Sequence, residues 1–290
     1  MSDPVGFTLA LGGGGARGWV HVGVARALAA SGLRPGRIVG TSMGAILGAA
    51  LAAGFRPEQI EAVGRRTPIY PLLTRRGRFA LFDPRPVVEH MTAEIGVTRI
   101  EELPTPLGIT TYDLVAGAPR LITRGRLDAA LERSIAVPLF FPPCRDAAGV
   151  WCDAGPWESI PVAPSRTWAP DAPVIGVWAD VPKPAFLAGR VGGTWLRLAA
   201  ARLQPRNEEQ RLTARRYLSL LARRWADPVH VEPPDVLIAP RLGLRSALQF
   251  DPRHIPAFVA AGERAALEAL DGWRGGIGPS GGHEGRSRAA

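Results

Sequence analysis

Ser42 lies at the centre of a G-x-S-x-G pattern, in which Gly40 and Gly44 flank it at equal spacing. The pattern separates a short apolar segment, Arg37 to Thr41, from a stretch rich in alanine, so a strand followed by a helix is predicted on its two sides. A serine on such a tight strand-to-helix turn presents its hydroxyl as a nucleophile. The N–H of Met43, at the positive end of the predicted helix, would face an oxyanion formed at Ser42. The pattern therefore predicts acyl-transfer chemistry.

A second glycine cluster comes earlier, in the segment LALGGGGARG. It follows a predicted first strand, Val5 to Gly13, and precedes a predicted helix that ends at Gly32. If the two predicted strands are parallel neighbours, both glycine turns emerge at the same edge of the sheet. The bare N–H groups of Gly13, Gly14 and Gly15 could then point at one shared oxygen, and each such donor lowers a barrier by roughly 3 kcal/mol in known cases.

Two nucleotide-binding patterns fit this cluster poorly. Gly13, Gly15 and Gly18 satisfy G-x-G-x-x-G after a strand, as a dinucleotide-binding fingerprint does. That fingerprint expects an acidic residue at the end of the second strand, and the second strand here ends in GTSMG. A phosphate-binding P-loop would need a Lys-Ser or Lys-Thr pair after the glycines, which is absent.

An ordinary α/β-hydrolase is the third alternative. Its nucleophile lies well into the sheet and is followed by an acid and then a histidine. Ser42 comes early, on the second predicted strand, and this alternative would have to draw its histidine from His230, His254 and His283.

The elements that must position these residues alternate along the chain. Two strands are predicted around Ala116–Gly117, a helix ends at Pro138, and the segment GVWCDAG forms a strand that delivers Asp153 at its end. Further strands are predicted at 173–180 and 235–240, with a last helix at 253–270. This alternation predicts an α/β domain with a mostly parallel sheet.

Composition limits the class of protein. The chain has 290 residues, 46% of them hydrophobic, and a formal net charge of +9 that comes almost wholly from arginine. Such a charge fits anionic lipid, phosphorylated substrates, nucleic acid or a merely solvated surface; no nucleic-acid motif is present, so nucleic acid is not expected as a partner. No segment reads as a membrane span and the first residues lack a basic leader, so a cytoplasmic location is expected. Cys144 and Cys152 are too few for a disulfide scaffold and are expected to be packed thiols.

An arginine-rich segment is predicted to be helical, with a break near Pro205. Trp195 and Trp225 bracket it, and we interpret about 185–228 as a cap-like segment over the site. It could dock on an anionic bilayer at the inner membrane face or simply cover the core as an amphipathic helix. Its arginines are Arg197, Arg202, Arg206, Arg211, Arg215, Arg216, Arg223 and Arg224. The tail at 274–290 is rich in Gly, Ser and Arg and is predicted to be disordered.

Three motifs in this chain order resemble the bacterial branch of the patatin-like phospholipases: LALGGGGARGWVHVGVARAL, GTSMGA and CDAG. The resemblance runs from Phe7 to Leu270, which sets one domain at 5–270. It implies a three-layer α/β/α sandwich with a mostly parallel central sheet. It also implies a dyad of Ser42 as nucleophile and Asp153 as general base, an oxyanion hole at Gly13 to Gly15, no metal or cofactor, and release of fatty acid from phospholipid or lysophospholipid.

The chain departs from the family's pattern near the base. The usual D-G-G is Asp153-Ala154-Gly155 here, and Ser159 and Pro161 occupy a region where asparagine is common. Ala154 adds a Cβ that would oppose a turn with positive φ. The alternative to an enzyme is therefore a weak or inactive scaffold that binds lipid or protein.

Two further residues near the glycine loop have competing interpretations. Arg17 is a candidate contact for a lipid phosphate, and a structural pairing with a helix end or a carboxylate is the alternative. His21 lies four residues further on the predicted helix, where a triad role is conceivable. Because the resemblance implies a dyad, we predict that His21 is a packed histidine.

Overall fold

One mixed sheet organises the molecule. The computed structural model describes residues 6–74, 82–138, 140–179, 208–226, 232–243 and 247–273. Within them the strands follow the order β5-β6-β3-β2-β1-β7-β8, and β4 pairs with β3. Pairs β1–β2, β2–β3, β1–β7 and β7–β8 are parallel. The strands are β1 Thr8–Leu11, β2 Arg37–Thr41, β3 Leu107–Asp113, β4 Ala118–Ile122, β5 Cys144–Asp146, β6 Gly149–Cys152, β7 Val174–Val177 and β8 Val236–Ile238.

Helices cover both faces of this sheet. Short 3₁₀ turns at Gly15–Trp19, Tyr70–Leu72, Ile100–Glu102 and Pro252–His254 complete the described elements. The α-helices are α1 Val20–Ala30, α2 Met43–Ala52, α3 Pro57–Arg66, α4 Arg85–Ile95, α5 Leu127–Ser134, α6 Val162–Trp168, α7 Glu208–Ala226 and α8 Ile255–Trp273.

Alternation along the central strand β1 produces the layers. Leu9 and Leu11 face the larger core, which includes residues of α1, α2 and α8. Ala10 points to the opposite face, where it packs with Ile160 and Val174 beside α6. Successive strand residues point to opposite faces, so an apolar run of this kind is buried on both sides. The result is the three-layer α/β/α sandwich with a mostly parallel central part that the resemblance implied.

Helices α1 and α8 cross at very short distance because each contributes a glycine. A Cβ added at Gly23 would lie 1.9 Å from the Val259 carbonyl oxygen, and one added at Gly262 would lie 2.1 Å from the Val20 carbonyl oxygen. Only glycine permits this approach of two backbones.

Most predicted elements are present, with shifted ends. Strand β2 has the predicted bounds, and β3 and β4 form the predicted pair around Ala116–Gly117. The first helix begins differently, as a 3₁₀ turn that becomes α1 at Val20, and the helical turn predicted from Pro57 extends to the ten residues of α3. Both cysteines are free, since Cys144 pairs across the hairpin with Trp151.

The arginine-rich segment is described only in its second half. Helix α7 occupies Glu208–Ala226. The predictions for Trp195, Arg197, Arg202 and Arg206, and for the tail at 274–290, lie outside the described residues. A search of the described helices finds none that is both long and apolar enough to cross a bilayer.

Candidate active site

Ser42 has a strained backbone between β2 and α2. Its φ of 55° makes it the one non-glycine residue with positive φ in the described part of the chain. A Cβ at Gly40 would lie 2.5 Å from the Ala45 Cα, and one at Gly44 would lie 2.2 Å from the Leu11 carbonyl oxygen. Both glycines are therefore required by close backbone approach, which is the physical reason for the predicted pattern. Strain of this kind persists only where the surroundings enforce it, and it concentrates at functional sites.

The surroundings of Ser42 leave its hydroxyl uncommitted to the helix. The side chain makes no capping bond to α2, and the residue is 8% exposed. Its backbone N–H donates to the Ser134 Oγ at 2.9 Å, so the last residue of α5 holds the strained turn in place. Sequence reasoning did not single out Ser134, although the segment SIAVP that contains it belongs to the resemblance.

Asp153 reaches the same point from another strand. Strand β4 occupies one edge of β3 along Ile109–Asp113. Strands β2 and β6 must therefore both pair with the other edge, where Thr41 lies opposite Thr110 and Cys152 lies opposite Tyr112. β2 runs parallel to β3 and β6 runs antiparallel, so their ends approach each other head-on. On β3, only Thr111 separates the last residue paired with β2 from the first residue paired with β6. Ser42 is the next residue after β2 and Asp153 the next residue after β6, so the two approach Thr111 from opposite directions.

Threonine hydroxyls tie this convergence together. The Oγ1 atoms of Thr41 and Thr110 are 2.6 Å apart, and the Thr110 hydroxyl also donates to the Gly40 carbonyl at 3.3 Å. The Thr111 hydroxyl donates to the Cys152 carbonyl at 3.0 Å. Side-chain bonds from β3 therefore hold the residue before Ser42 and the residue before Asp153.

The carboxylate of Asp153 is buried and oriented. The residue is 3% exposed, and its Oδ1 accepts the Gly155 N–H at 2.6 Å. Ala154 has no positive φ, and it packs in a cluster with Leu114, Ala136 and Tyr217. The departure from D-G-G therefore introduces no strained backbone, since Ala154 avoids the positive φ that its Cβ was expected to oppose.

The glycine loop lies directly against the serine. A Cβ at Gly13 would be 3.4 Å from the Ser42 Cβ. Gly14 abuts Ala179, whose Cβ would be 2.9 Å from an added Cβ, and Gly15 has a φ of 57°. The parallel pairing of β1 and β2 thus brings both glycine clusters to one edge, as predicted from the sequence.

The N–H groups of this loop are not equivalent. The Gly13 N–H donates to the Ser159 carbonyl at 3.2 Å, so it is already engaged, contrary to the expectation that it serves an oxyanion. No described residue accepts a hydrogen bond from the N–H groups of Gly14, Gly15 or Met43. These three remain as the donors that an oxyanion could use.

His21 and Arg17 support the loop from inside. His21 is fully buried, its Nε2 lies 2.8 Å from the Gly12 carbonyl oxygen, and burial lowers the pKa of its imidazole to about 4. A neutral Nε2–H that donates to Gly12 fits the predicted packed histidine. Arg17 is only 7% exposed, which favours its structural interpretation over a contact with a lipid phosphate.

Glu158 is a buried acid that the sequence did not single out. It lies on the strap between Asp153 and α6, its Oε1 accepts the Ala163 N–H at 3.0 Å, and the next residue supplies the carbonyl that holds Gly13. Burial raises the pKa of Glu158 to about 7. This effect is larger than that of the hydrogen bonds from the Ala163 and Val162 N–H groups, which lower the pKa.

The other candidate histidines lie elsewhere. His254 is at the start of α8, where its Nε2 is 2.9 Å from the Gln249 amide nitrogen. His230 and His283 fall outside the described residues. Across the described ranges, no group of three or more His, Cys, Asp or Glu side chains is placed to hold a metal ion.

Comparison with known proteins identifies the family of this chain. The family model described as patatin-like phospholipase matches residues 9–164. The chain belongs to the patatin-like phospholipase family. An uncharacterized NTE family protein of Mycobacterium tuberculosis is 33% identical over 188 residues, 64% of this chain and 50% of that protein. The lysophospholipase NTE1 of Mycosarcoma maydis is 29% identical over 163 residues, 53% of this chain and 9% of that protein.

A structural comparison extends the likeness over nearly the whole chain. The crystal structure of VipD from Legionella pneumophila superposes with a TM-score of 0.53 at 15% identity, and the match covers 93% of this chain and 68% of that one. This likeness shows the fold. The chain spans about half the length of the mycobacterial relatives that it matches.

Proposed function

We propose that this patatin-like protein is a serine acyl-ester hydrolase that releases fatty acid from phospholipid or lysophospholipid through a dyad of Ser42 and Asp153. The observation that carries the proposal is the head-on approach of β2 and β6 along one edge of β3. It brings a strained serine and a buried carboxylate to the two sides of Thr111. A nucleophile with an adjacent base is the minimum that acyl transfer requires.

The proposed reaction has two steps. The Asp153 carboxylate accepts the Ser42 proton while Oγ attacks the ester carbonyl carbon. The N–H groups of Gly14, Gly15 and Met43 stabilise the negative charge that develops on the carbonyl oxygen. Breakdown of the tetrahedral intermediate expels the alcohol, which takes the proton from Asp153 and leaves an acyl-serine. Water, deprotonated by Asp153, then attacks the acyl-serine, and the fatty acid leaves as Oγ recovers a proton.

Family membership and relatives support the substrate class. The matched family is described as patatin-like phospholipases, and one relative is named a lysophospholipase. An enzyme that takes such substrates works at a lipid surface, so we include peripheral contact with an anionic membrane, at the inner face of a cytoplasmic membrane, in the proposal.

The test is hydrolysis of p-nitrophenyl esters of increasing acyl length, followed by lysophosphatidylcholine and phosphatidylcholine in mixed micelles. We expect Ser42→Ala and Asp153→Asn each to lower kcat at least 10³-fold, because removal of either member disables the dyad. A fluorophosphonate probe should label the wild type and Asp171→Asn but not Ser42→Ala.

Matched variants separate chemistry from folding. Ser31→Ala, beyond the end of α1, and Asp171→Asn, at an exposed position, remove the same groups away from the site and should keep full activity. Activity that survives Ser42→Ala would overturn the proposal. A folded wild type that hydrolyses none of these substrates would favour the non-catalytic scaffold that binds lipid or protein.

A further inference from the structure

Helix α7 presents an exposed face that combines arginine with an apolar side chain. Arg211, Arg215 and Ser219 are exposed, and Leu212 beside them is 47% exposed. Thr213 and Tyr217, on the opposite side of the helix, are buried. An amphipathic helix normally turns its leucines inward, whereas Leu212 lies on the exposed side of α7 with the two arginines.

The other side of α7 attaches the helix to the strands of the candidate site. Tyr217 packs in one cluster with Leu114 and Ala154. The Arg216 Nη1 donates to the Leu114 carbonyl at 3.1 Å. Arg216 therefore anchors the helix to the β3–β4 hairpin, although the sequence grouped it with arginines that could face a membrane.

The tip of that hairpin is apolar and exposed next to α7. Val115 is 41% exposed, Ala116 and Pro119 are exposed, and a Cβ at Gly117 would lie 2.9 Å from the Arg216 Nε. Val115 lies in the turn directly after the carboxyl end of β3, four residues beyond Thr111. The tip therefore projects past the edge at which Ser42 and Asp153 converge. We define the docking face as Val115, Ala116, Pro119, Arg211, Leu212 and Arg215.

The docking face carries positive charge on Arg211 and Arg215. No described carboxylate forms an ion pair with Arg211 or Arg215, although Glu208 is exposed one turn earlier on the same helix. Some exposed arginines elsewhere are paired, such as Arg99 with Glu101 at 2.7 Å and Arg253 with Asp251 at 2.6 Å. The docking face thus offers two guanidinium groups that no described carboxylate pairs with, next to apolar side chains.

We infer that the docking face binds the surface of an anionic phospholipid bilayer, with Leu212 and Val115 in the interfacial region and Arg211 and Arg215 on lipid phosphates. Guanidinium groups match phosphate geometry, and small apolar groups gain by leaving water at the interface. The inference rests on the proposed function, because the bilayer would then lie at the edge of the sheet where the ester reacts. Binding itself is measurable without any hydrolysis.

The experiment is flotation of the full chain with vesicles of phosphatidylcholine alone or with 30% phosphatidylglycerol. We expect binding to the anionic vesicles that weakens as salt rises, since each arginine near such a surface contributes about fivefold in affinity. Arg211→Glu/Arg215→Glu should weaken it by at least about 25-fold. Val115→Ser/Leu212→Ser should weaken binding to both vesicle types several-fold.

The matched control is Arg34→Glu/Arg124→Glu. Both arginines are exposed, and they lie before β2 and after β4, at the opposite edge of the sheet from Ser42. This double variant changes net charge equally and should keep wild-type binding. Equal loss in both charge-reversal variants would overturn the inference, and so would a wild type that binds single-stranded RNA but no vesicles.

A second readout separates this inference from the proposed function. Hydrolysis of a soluble short-chain p-nitrophenyl ester should be unchanged in the docking-face variants, whereas hydrolysis of vesicle lipid should fall with binding. Suppose that the docking-face variants lose vesicle binding but neither the wild type nor any variant hydrolyses an ester. The inferred docking face would then be supported, and the proposed hydrolase activity would be rejected. Loss of soluble-ester hydrolysis in the docking-face variants would place these residues in the active site and overturn the inference.

Discussion

The junctions that follow β2 and β6 present the two candidate catalytic groups in opposite ways. After β2, Ser42 is strained, and glycines on both sides touch neighbouring backbone. After β6, Asp153 and Ala154 have ordinary backbone, and the carboxylate is positioned by the Gly155 N–H and by the bond from Thr111 to Cys152. Ser42 is thus presented by a strained turn that close backbone contacts enforce, whereas Asp153 is positioned by hydrogen bonds on ordinary backbone. Substitutions at the junction after β2 should therefore lower the free energy of unfolding. Substitutions at the junction after β6 should mainly change the alignment of Asp153 with Ser42.

The largest difference is expected between Gly44→Ala and Gly155→Ala. The Gly44 variant places a Cβ 2.2 Å from the Leu11 carbonyl oxygen, in rigid backbone, and should lose about 3 kcal/mol or more of unfolding free energy. The Gly155 variant places it 3.0 Å from the Asp153 Oδ1, a side-chain atom that can shift. It should fold with about 1 kcal/mol lost and with lower kcat. Urea unfolding and ester hydrolysis measure the two effects.

Gly32→Ala serves as the control for backbone strain without crowding. Gly32 has a φ of 71° and nothing within 4 Å of an added Cβ, so the cost is about 1 kcal/mol. If Gly44→Ala costs no more than this, the junction after β2 is not enforced by backbone contact.

The two sides also respond to pH with opposite signs. Burial raises the pKa of Glu158, on the strap after Asp153, from 4.5 to about 7. As pH rises, the unfolded chain therefore loses this proton at a lower pH than the folded chain does. The contribution of Glu158 to the free energy of unfolding falls by about 3 kcal/mol as pH rises from 4.5 through 7. Glu158→Gln mimics the neutral acid, so its unfolding free energy should rise relative to the wild type across that range. Chemical denaturation at each pH measures the difference.

His21 provides the opposing trend on the glycine-loop side. Burial lowers the pKa of His21 from 6.5 to about 4. The contribution of His21 to the free energy of unfolding is therefore complete above pH 6.5 and declines by about 3 kcal/mol as pH drops toward 4. His21→Gln, which keeps a donor for Gly12, removes this trend. Because the two opposing trends span nearly the same pH range, the unfolding free energy of this variant should fall more steeply than that of the wild type as pH rises from 4.5 to 7. A Glu158→Gln variant that parallels the wild type at every pH would contradict the assignment of the opposing trend to Glu158.

The smallest effect tests the link between the junctions. Thr111→Val keeps the shape but removes the hydroxyl that donates to the Cys152 carbonyl at 3.0 Å. We expect a loss of about 1 kcal/mol in unfolding free energy, with kcat reduced several-fold and KM unchanged, because only the alignment of Asp153 with Ser42 shifts. Steady-state kinetics on a soluble ester separate the two constants.

Thr8→Val is the matched control for this prediction. Thr8 is also buried in the sheet, and no described residue bonds its hydroxyl, so this change should leave stability equal or slightly higher. Identical kinetics in the two variants would show that Thr111 acts only as packing.

The nucleophile side was predictable from sequence because its determinants are adjacent. Gly40, Ser42 and Gly44 stand within five residues, and β2 has the predicted bounds. The base was predictable only as the end of a strand and through family resemblance. Thr111 and Ser134 carried no local signal, because their importance depends on which edge of β3 is occupied by β4 and on where α5 ends.

Hydrogen-bond allocation was also beyond the sequence. The motif treated Gly13, Gly14 and Gly15 alike, yet the Ser159 carbonyl engages the first of them. Likewise, spacing alone could not separate Arg216, which bonds Leu114, from Arg215, which is exposed one residue earlier. In both cases a residue far along the chain decides the outcome.

Because β2 and β6 pair with the same edge of β3, the candidate site is assembled in a fixed order along the chain. Strands β1, β2 and β3 and the turn at Ser42 are complete before the chain reaches Gly149, whereas β6 must still pair beside Tyr112. During synthesis from the N-terminus, a partly made chain can therefore hold the turn at Ser42 before Asp153 is in place. This pairing joins distant parts of the sequence, a type of contact that forms slowly, so the candidate site is complete only once β6 has paired with β3.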